Sequence, residues 1–353
     1  MIICFIETEK SSERFFEEHL QDHAIGFFPD LEDIPAEAEC LSIFINSRIT
    51  RAFLETRSRL RLVATRSTGV DHIDLAACNE RKIIVSSVPA YGENTVAEHT
   101  FALLLAISRR IRQALTAKRR GQFSLEAFRG FDLKDKTIGI VGAGRIGLHV
   151  IRIAKAFGMQ VIATDPIPSS LLSEVFGFDY VSFDELLQRS HIISLHAPFT
   201  PATLHLFNRE TFAKCRRGMI LINTARGSLI KTEALLEALD SGLVAGAGLD
   251  VLEDERLFRS EGSRLMTDRI IKDLQQISSP EEMHIRHPER LAEIQRLTAN
   301  ESLLSRPNVI FTPHIAFNSA EAVQRINEVT LENIIAFAAG APINLVTGKG
   351  STA

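Results

Sequence analysis

The sequence predicts an α/β protein that is built from two domains, each a doubly wound parallel sheet with helices on both faces. Two observations predict this class. Short apolar runs alternate with helix-like polar segments along most of the chain. One of these runs, 137–141, leads directly into a glycine-rich turn, a helical pattern and a second apolar run that ends at 164. With 353 residues and 45% hydrophobic content, the chain is long enough to bury two cores.

The first half of the chain has strand candidates separated by polar, helix-like sequence. They lie at 1–6, 41–45, 61–65 and 82–86. This rhythm is typical of a parallel sheet with crossover helices. Residues 94–120 are then expected to form one long helix, whose apolar face would include Ile111 and Leu115.

Beyond the glycine-rich turn, the same alternation predicts a second sheet. Further strand candidates lie at 160–164, 191–195, 219–223, 245–249 and 308–312. Helices are expected around 168–176, 208–214 and 231–241, and a long helix at 318–339 is expected to return the chain to the first domain. We therefore expect a discontinuous first domain, 1–98 with 317–353, and a second domain, 99–316. The active site is expected in the cleft between them.

One segment, about 256–306, departs from this alternation. It is charged and helix-prone, and its apolar residues recur at helical spacing, as in 268–277 and 289–297. We interpret it as a helical insertion of two amphipathic surface helices, with a lid or a subunit contact as the alternatives.

The glycines of the turn at 142–147 match the pattern G-x-G-x-x-G between a strand and a helix. Gly142 would make the tight turn, Gly144 would let the backbone approach a pyrophosphate, and Gly147 would let the helix pack closely. The exposed N–H groups at the start of the helix, which include that of Ile146, would then bind phosphate oxygens. The second domain is therefore expected to be a Rossmann-like nucleotide-binding domain.

The acidic residue that ends the next strand, Asp165, indicates which dinucleotide is bound. Its carboxylate can accept hydrogen bonds from the ribose hydroxyls, and its charge would repel the extra phosphate of NADP. No arginine occurs in 166–170, so NAD is the expected cofactor. Arg145 either contacts the pyrophosphate or lies in solvent at the start of the helix.

Four polar residues follow strand candidates of the second domain: Arg226, Asp250, Glu255 and His314. Ligands of open α/β sheets bind beyond the carboxyl ends of the strands, so these side chains should converge near the nicotinamide. A guanidinium can hold the carboxylate of a 2-oxo acid in a bidentate manner and polarise its ketone, which is the role expected of Arg226.

Reduction of a ketone also requires a proton donor, and we expect His314 to give and recover that proton. A carboxylate beside the imidazole favours its charged form and fixes its tautomer, so Glu255 is the expected partner of His314. Asp250 is expected beside the nicotinamide, where it would hold the carboxamide; a structural role at the end of its strand is the alternative.

With these residues in place, the chain resembles the D-isomer-specific 2-hydroxyacid dehydrogenases over nearly its whole length, and it is most similar to the lactate dehydrogenase branch. The segment 66–74 resembles the loop whose backbone amides, here those of Thr68 and Gly69, hold the substrate carboxylate. The segment 88–91 resembles the one that places a tyrosine, here Tyr91, beside the substrate. The resemblance also implies residues that line the nicotinamide ribose and ring. These are His196, Ala197, Pro198, Thr224 and Ala225.

The implied function is NAD-dependent reduction of a small 2-oxo acid to the D-2-hydroxy acid, with pyruvate to D-lactate as the first expectation. A bulkier or phosphorylated 2-oxo acid is the alternative within this class. A different class is an NADH-sensing corepressor, in which the cofactor controls partner binding. The intact Arg226, Glu255 and His314 set argues against that class.

Composition limits the partners. The formal net charge of −4 gives no electrostatic indication of nucleic acid or an anionic membrane, and no apolar run is long enough to span a bilayer. The four cysteines are isolated in sequence, which fits a reduced cytoplasm. His284 and His287 lie beside Glu281 and Glu282, but no third ligand has a suitable spacing, so we expect no metal site. The helix at 94–115 and the resemblance together favour a homodimer.

Overall fold

The computed structural model describes residues 1–119, 125–255 and 288–346. The chain divides into two compact units. Unit 1 contains Met1–Gly92 and the chain from Asn318 onward, and unit 2 contains Glu93–Phe317. The predicted boundaries were 98/99 and 316/317. The first division lies earlier because the helix that begins at Glu93 packs on the sheet of unit 2, where Leu103 and Ile107 approach Gly248.

Unit 1 is a five-stranded parallel sheet with the strand order β2-β1-β3-β4-β5. Its strands are β1 (Ile2–Ile6), β2 (Ala24–Phe28), β3 (Cys40–Ile43), β4 (Leu62–Thr65) and β5 (Ile84–Ser86). Its helices are α1 (Lys10–His19), α2 (Arg51–Glu55), α3 (Leu75–Glu80) and, near the end of the chain, α12 (Ala320–Ala338). The strands β1, β3 and β4 are largely buried on both faces, whereas β2 is partly exposed. On one face of the sheet Phe5 and Phe16 stack with ring centroids 4.4 Å apart.

Unit 2 is a seven-stranded parallel sheet with the strand order β12-β11-β10-β9-β6-β7-β8. Its strands are β6 (Thr137–Val141), β7 (Gln160–Thr164), β8 (Asp179–Tyr180), β9 (Ile192–Leu195), β10 (Met219–Asn223), β11 (Val244–Leu249) and β12 (Val309–Phe311). The order reverses between β6 and β9, which makes this the switch point of a doubly wound sheet.

The helices of unit 2 cover both faces of its sheet, where two apolar clusters form the core. They are α4 (Glu93–Ser108), α5 (Ile111–Arg119), α6 (Arg145–Ala156), α7 (Ser170–Phe176), α8 (Phe183–Arg189), α9 (Arg209–Lys214), α10 (Thr232–Asp240) and α11 (Pro288–Ser305). Several begin at a side-chain cap; Ser182, for example, accepts the N–H of Glu185. The predicted fold class, two doubly wound parallel sheets, is confirmed.

The expected long helix at 94–120 is wrong as a single element. It is divided at Arg109 and Arg110, where Arg110 adopts a left-handed backbone with φ 51°. After this break two residues of the expected apolar face are exposed, Ile111 at 46% and Leu115 at 60%. No glycine or proline marks the break in sequence. The strands β2 and β8 and the helix α8 were not predicted.

The predicted helical insertion is only partly within the described residues. Residues 256–287 lie outside them, and α11 accounts for the second amphipathic stretch. In the parts of the chain that the structure describes, no helix is long and apolar enough to cross a membrane.

Candidate active site

The site is built on neighbouring parallel strands of unit 2. β10 pairs with β11, and β11 pairs with β12, all in parallel register. The loops that follow these strands carry Arg226, Glu255 and His314 respectively. Because the carboxyl ends of parallel strands meet at one edge of a sheet, the three predicted side chains belong to one edge.

His314 and Glu255 form a direct pair at this edge. Nδ1 of His314 lies 2.6 Å from Oε1 of Glu255, and both side chains are 22% exposed. His314 has a left-handed backbone with φ 55°, which is uncommon for a residue with a side chain. Its N–H donates to the carbonyl of Asp250 at 2.7 Å. The carboxylate fixes which imidazole nitrogen faces it and leaves Nε2 as the nitrogen for other chemistry.

Asp250 organises the loop that holds His314. The residue is fully buried. Its Oδ1 accepts the hydroxyl of Thr312 at 2.6 Å and the N–H of Ile315 at 2.9 Å, while Oδ2 accepts the N–H of Ala316 at 2.9 Å. The residues that donate these bonds lie on both sides of His314 in the sequence, and the bonds compensate the burial of the carboxylate. The expected contact of Asp250 with the nicotinamide stays a prediction.

The loop that carries Arg226 is fixed by a buried amide and by a close backbone contact. Asn223 accepts the N–H of Ala225 at 3.0 Å and donates to the carbonyl of Arg226 at 2.9 Å. A Cβ on Gly227 would lie 1.9 Å from the carbonyl oxygen of Leu252. Only glycine allows this approach, which brings the Arg226 loop against the segment that leads to Glu255.

The glycine turn has the geometry that a dinucleotide requires. Gly142 has φ 94°, and a Cβ on it would lie 2.9 Å from the backbone of 196–197. A Cβ on Gly147 would lie 2.1 Å from the carbonyl oxygen of Gly142. By contrast, a Cβ on Gly144 would point into open space, at the N-terminus of α6. Open space in front of the N–H groups of a helix N-terminus suits a phosphate, so these residues fit a nucleotide.

Asp165 and Arg145 lie beside this turn. Asp165 follows β7, and its carboxylate accepts the N–H of Ala143 and the N–H of Ile167, both at 2.9 Å. These bonds hold the carboxylate at the mouth of the turn. Arg145 is 65% exposed, with Nη1 3.6 Å from Oε1 of Glu93. Ile146, the next residue of α6, is partly buried in the core.

His196 follows β9, across the switch point from the glycine turn. Its N–H donates to the carbonyl of Val141 at 2.8 Å, and Nε2 lies 2.8 Å from Oγ of Ser194. Desolvation lowers the pKa of His196 to about 3, so the imidazole is neutral near pH 7.

The other residues implied to line the cofactor lie in the loops after β9 and β10. Ala197 packs against the turn at Gly142, while the carbonyl of Pro198 accepts the hydroxyl of Thr203 at 2.8 Å. Thr224, which is 8% exposed, bonds the hydroxyl of Thr100 at 2.9 Å. Ala225 is held by Asn223 as described. These loops end at the same edge of the sheet as the glycine turn.

In unit 1, the segment after β4 contains the two amides assigned to the substrate carboxylate. The hydroxyl of Thr68 donates to the carbonyl of Val88 at 2.8 Å, and the hydroxyl of Ser67 donates to the carbonyl of Gly69 at 2.6 Å. Among the described residues, the N–H groups of Thr68 and Gly69 donate to no protein acceptor. Two adjacent N–H groups in this state can bind a carboxylate. Tyr91 is half-buried, and its carbonyl accepts Nε of Arg325 at 2.7 Å.

Arg66 opens the same segment but faces inward. The residue is 4% exposed, and Nη2 donates to the carbonyls of Ile6 and Glu7 at 2.6 Å. Burial lowers its pKa to about 10, which leaves the guanidinium charged near pH 7. Its role is to fix the chain after β1 against the segment after β4.

The sequence interpretation missed two histidines that make specific contacts in unit 2. Nε2 of His99 lies 2.9 Å from Oγ1 of Thr312 and 3.5 Å from Oδ1 of Asp250. Nε2 of His205 lies 2.5 Å from Oε1 of Glu253. The partners lie far away in sequence, and the one available signal was that Thr312, Asp250 and Glu253 belong to the strand-end segments already singled out.

Metal binding is not indicated by the described residues. They contain no group of three or more His, Cys, Asp or Glu side chains that could hold a metal ion. The residues weighed for that role, at 281–287, lie outside the described part of the chain.

Comparison with known proteins agrees with this geometry. Residues 101–316 match the family model described as D-isomer specific 2-hydroxyacid dehydrogenase, NAD binding domain. The D-lactate dehydrogenase of Escherichia coli is 35% identical over 300 residues, which cover 84% of this chain and 82% of the relative. An aromatic 2-oxoacid reductase of Clostridium sporogenes is 35% identical over 315 residues, covering 88% and 86%. The crystal structure of D-lactate dehydrogenase from Aquifex aeolicus, complexed with NAD and lactic acid, superimposes with a TM-score of 0.81 at 34% identity and covers 96% of each chain.

Proposed function

Because this chain belongs to the D-isomer-specific 2-hydroxyacid dehydrogenase family and is an NAD-dependent oxidoreductase, we propose that it reduces a small 2-oxo acid to the D-2-hydroxy acid. Pyruvate to D-lactate is the reaction we propose first. The observation that carries the proposal is the His314 and Glu255 pair, 2.6 Å apart, on the sheet edge that also carries Arg226. A proton donor and a guanidinium are the two groups that reduction of a 2-oxo acid requires from the protein.

NAD supplies the hydride when it is bound, and the protein supplies orientation and charge. We propose that the turn Gly142, Gly144 and Gly147, with the helix N–H groups that include those of Arg145 and Ile146, binds the pyrophosphate. Asp165 would bind the adenosine ribose. The nicotinamide end would then lie against the loops after β9 and β10, with Asp250 near its carboxamide. The residues proposed to line it are His196, Ala197, Pro198, Thr224 and Ala225.

His314 is proposed as the acid and base. In reduction, protonated Nε2 would donate its proton to the ketone oxygen as the alkoxide develops, and in oxidation neutral Nε2 would remove the hydroxyl proton. Glu255 would hold Nδ1, so the proton available for the reaction would be the one on Nε2. The left-handed backbone of His314 and its bond to Asp250 set the direction of the ring.

Arg226 is proposed to bind the substrate carboxylate and to polarise the ketone. Its planar guanidinium can make two parallel bonds, which a lysine ammonium cannot reproduce. The N–H groups of Thr68 and Gly69 are proposed as further donors to the same carboxylate, and Tyr91 as a contact of the substrate side chain. The resemblance assigns these three roles, and the unbonded state of the two N–H groups supports those of Thr68 and Gly69.

A second candidate is reduction of a bulkier 2-oxo acid. The similarity to the aromatic 2-oxoacid reductase of Clostridium sporogenes equals that to the lactate enzyme, at 35% identity. A phosphorylated substrate has less support, because Arg66, the cation nearest in sequence to the proposed carboxylate site, is buried and donates to backbone carbonyls. A corepressor-like NADH sensor is the candidate from another class.

The test is oxidation of NADH, followed by absorbance, with a panel of 2-oxo acids and with NADPH as the cofactor control. The panel contains pyruvate, phenylpyruvate, 2-oxoisocaproate, glyoxylate and a phosphorylated 2-oxo acid. A preference for pyruvate is the expected result, and a preference for phenylpyruvate would select the second candidate. Tight NADH binding with no turnover of any acid would contradict the proposed reaction and leave the sensor function.

Substitution of Arg226 tests its assignment directly. Arg226→Lys keeps the charge but loses the bidentate geometry, so we expect the ratio kcat/KM for the preferred acid to fall at least about 10²-fold. Arg217→Lys is the matched control, because Arg217 donates to the carbonyl of Ser241 at an exposed turn. Near-normal kcat/KM in Arg226→Lys would remove the assignment.

We further propose a homodimer in a reduced compartment, the cytoplasm. The resemblance supports the dimer, and the exposed Ile111 and Leu115 offer apolar surface on α5. All four cysteines are free thiols in buried positions, as in a protein that does not depend on disulfides. Sedimentation equilibrium of the full chain tests the dimer; a single species at the mass of one chain would contradict it.

A further inference from the structure

The described residues contain a second histidine and glutamate pair, which the proposed reaction does not use. Nε2 of His205 lies 2.5 Å from Oε1 of Glu253. Glu253 precedes Glu255 by only two residues. The side chain of Glu253 is 9% exposed and that of His205 is 30% exposed. A carboxylate that is buried to this degree must be compensated by hydrogen bonds or by a charge.

Glu253 has further partners on two helices. Its Oε2 accepts the N–H of Thr232, the first residue of α10, at 3.1 Å. Its backbone carbonyl accepts Nδ2 of Asn300, on α11, at 2.9 Å, and the hydroxyl of Thr232 donates to Oδ1 of Asn300 at 3.2 Å. A carboxylate at a helix N-terminus is electrostatically favourable. The turn before Glu255 is therefore fixed on several sides.

The same contacts reach the loop that carries Arg226. The N–H of His205 donates to the carbonyl of Ser228 at 2.8 Å, and His205 adopts a left-handed backbone with φ 50°. Gly227 packs directly on the carbonyl of Leu252. Since Gly227 and Ser228 follow Arg226, while Leu252 and Glu253 precede Glu255, this cluster joins the two segments that carry the proposed reactive groups.

We propose that His205 and Glu253 are a positioning pair that holds Glu255 in register with His314, and that neither residue contacts substrate. The inference rests on the proposed function. Other charged groups nearby face elsewhere: Asp254, between the two glutamates, pairs with Arg296 at 2.8 Å, and Lys231 lies 3.7 Å from Glu233. Loss of the His205 contact leaves the buried carboxylate of Glu253 without one donor, so the turn must shift to find another.

The kinetic test compares two substitutions of His205. His205→Leu removes the donor, and we expect kcat for the preferred 2-oxo acid to fall more than about tenfold while KM changes less than about twofold. His205→Gln retains an N–H donor and should keep most of kcat. Rates are expressed per NADH-binding site, so that a fraction of unfolded protein does not count as lost kcat. A value of kcat in His205→Leu within twofold of wild type would overturn the proposal.

Two variants of the same turn provide a matched comparison. Glu253→Gln removes the charge that both His205 and Thr232 contact, and should reproduce the loss in kcat. Asp254→Asn removes a charge that is 42% exposed, at a left-handed position that asparagine tolerates, and should behave as wild type. Equal losses in the two variants would contradict a specific role of Glu253. If His205→Leu does not fold, His205→Asn replaces it, because its amide is too short to span to Glu253.

A double-substitution cycle distinguishes positioning of Glu255 from an independent effect. If His205 acts through Glu255, the variant His205→Leu/Glu255→Gln should be no slower than Glu255→Gln alone. Losses that multiply would refute the positioning role.

A spectroscopic readout separates this inference from the proposed function. The proton on Nδ1 of His314, bonded to Glu255, should give a downfield NMR signal in the whole wild-type chain, assigned by its absence in His314→Gln. We expect His205→Leu to move or broaden this signal and His205→Gln to preserve it. An unchanged signal in His205→Leu would overturn the positioning pair even if no 2-oxo acid is turned over; absence of turnover alone would overturn only the proposed reaction.

Discussion

Two pairs of a histidine with a glutamate meet the same short turn of unit 2, and they differ in burial and in their place in the fold. The distances are nearly equal, 2.6 Å for His314 with Glu255 and 2.5 Å for His205 with Glu253. The glutamate of the first pair is 22% exposed, and that of the second is 9% exposed and also accepts the N–H of Thr232. The histidine of the first pair follows a strand at the carboxyl edge of the sheet, where ligands of such sheets bind. A short distance between the two side chains therefore does not distinguish the two pairs; the place of the histidine in the fold does.

The largest expected effect comes from replacing the histidine of each pair and comparing the two variants. His314→Gln removes the proton donor, and we expect kcat for reduction to fall about 10²–10⁴-fold, with thermal unfolding near that of wild type. His205→Gln should retain most of kcat. The measurement is kcat with NADH and the preferred acid for both variants, alongside their unfolding curves. Losses of similar size would show that the two histidines are not functionally different.

A substitution of Gly227 tests the contact between the loop that carries Arg226 and the segment that leads to Glu255. Gly227→Ala places a Cβ 1.9 Å from the carbonyl oxygen of Leu252, so the two segments must separate. We expect the free energy of unfolding to fall by about 1–3 kcal/mol, together with a loss of kcat. Denaturant titration measures the first quantity and the NADH assay the second.

Gly144→Ala is the control for this substitution, because its Cβ would meet open space at an ordinary φ of −72°. Its stability should match wild type, while its affinity for NADH should fall, since the glycine faces the proposed phosphate site. Lost stability in Gly144→Ala would contradict the open space around that glycine. Unchanged stability in Gly227→Ala would contradict its close contact with Leu252.

The sequence predicted the pair of His314 with Glu255 but not that of His205 with Glu253, for a physical reason. His314 and Glu255 each follow a strand, and the edge of a parallel sheet brings such residues together whatever their separation along the chain. His205 follows no strand directly, and it reaches Glu253 because Phe207 and Ile230 form a local bridge that aligns its loop with the segment after β10. Contacts of this kind depend on loop conformations, which the pattern of apolar residues does not specify.

The break between α4 and α5 has a similar origin. The apolar pattern continues through it, so the sequence favours one helix. Arg110 nevertheless adopts a left-handed backbone, and the carbonyl of Ser108 accepts the N–H of Phe131 at 3.0 Å instead of continuing the helix. The partner lies in a distant loop, and the helix pattern alone contains no information about it. Ile111 and Leu115, which the pattern places on the apolar face of that helix, are exposed for the same reason.

The two directions of the reaction should depend on pH in opposite ways if His314 is the acid and base. Reduction takes a proton from His314 and should slow as the pH rises, by up to about tenfold for each pH unit. Oxidation gives a proton to His314 and should slow as the pH falls. Rates in both directions, under conditions where chemistry limits, are measured across the pH range. Parallel profiles would remove His314 from this role.

His196 gives the control for these profiles and the smallest expected effect. Because desolvation lowers the pKa of His196 to about 3, its imidazole stays neutral in the folded protein at every pH of the assay. His196→Gln should therefore leave the shape of both profiles unchanged, even if the rates themselves fall. A profile that loses its pH dependence in His196→Gln would transfer the proton role from His314 to His196.

The same lowered pKa predicts a dependence of stability on pH. Between about pH 6.5 and pH 3, the unfolded chain binds a proton at His196 that the folded chain does not, so the free energy of unfolding should fall as the pH falls through this window, by at most about 1.4 kcal/mol per pH unit. His196→Gln should make the slope shallower by that amount. Denaturant titrations at several pH values compare the two proteins, with His205→Gln as a second histidine replacement. An equal slope in wild type and His196→Gln would show that His196 can take up its proton without unfolding, and that the neutral imidazole beside Ser194 is not a requirement of the fold.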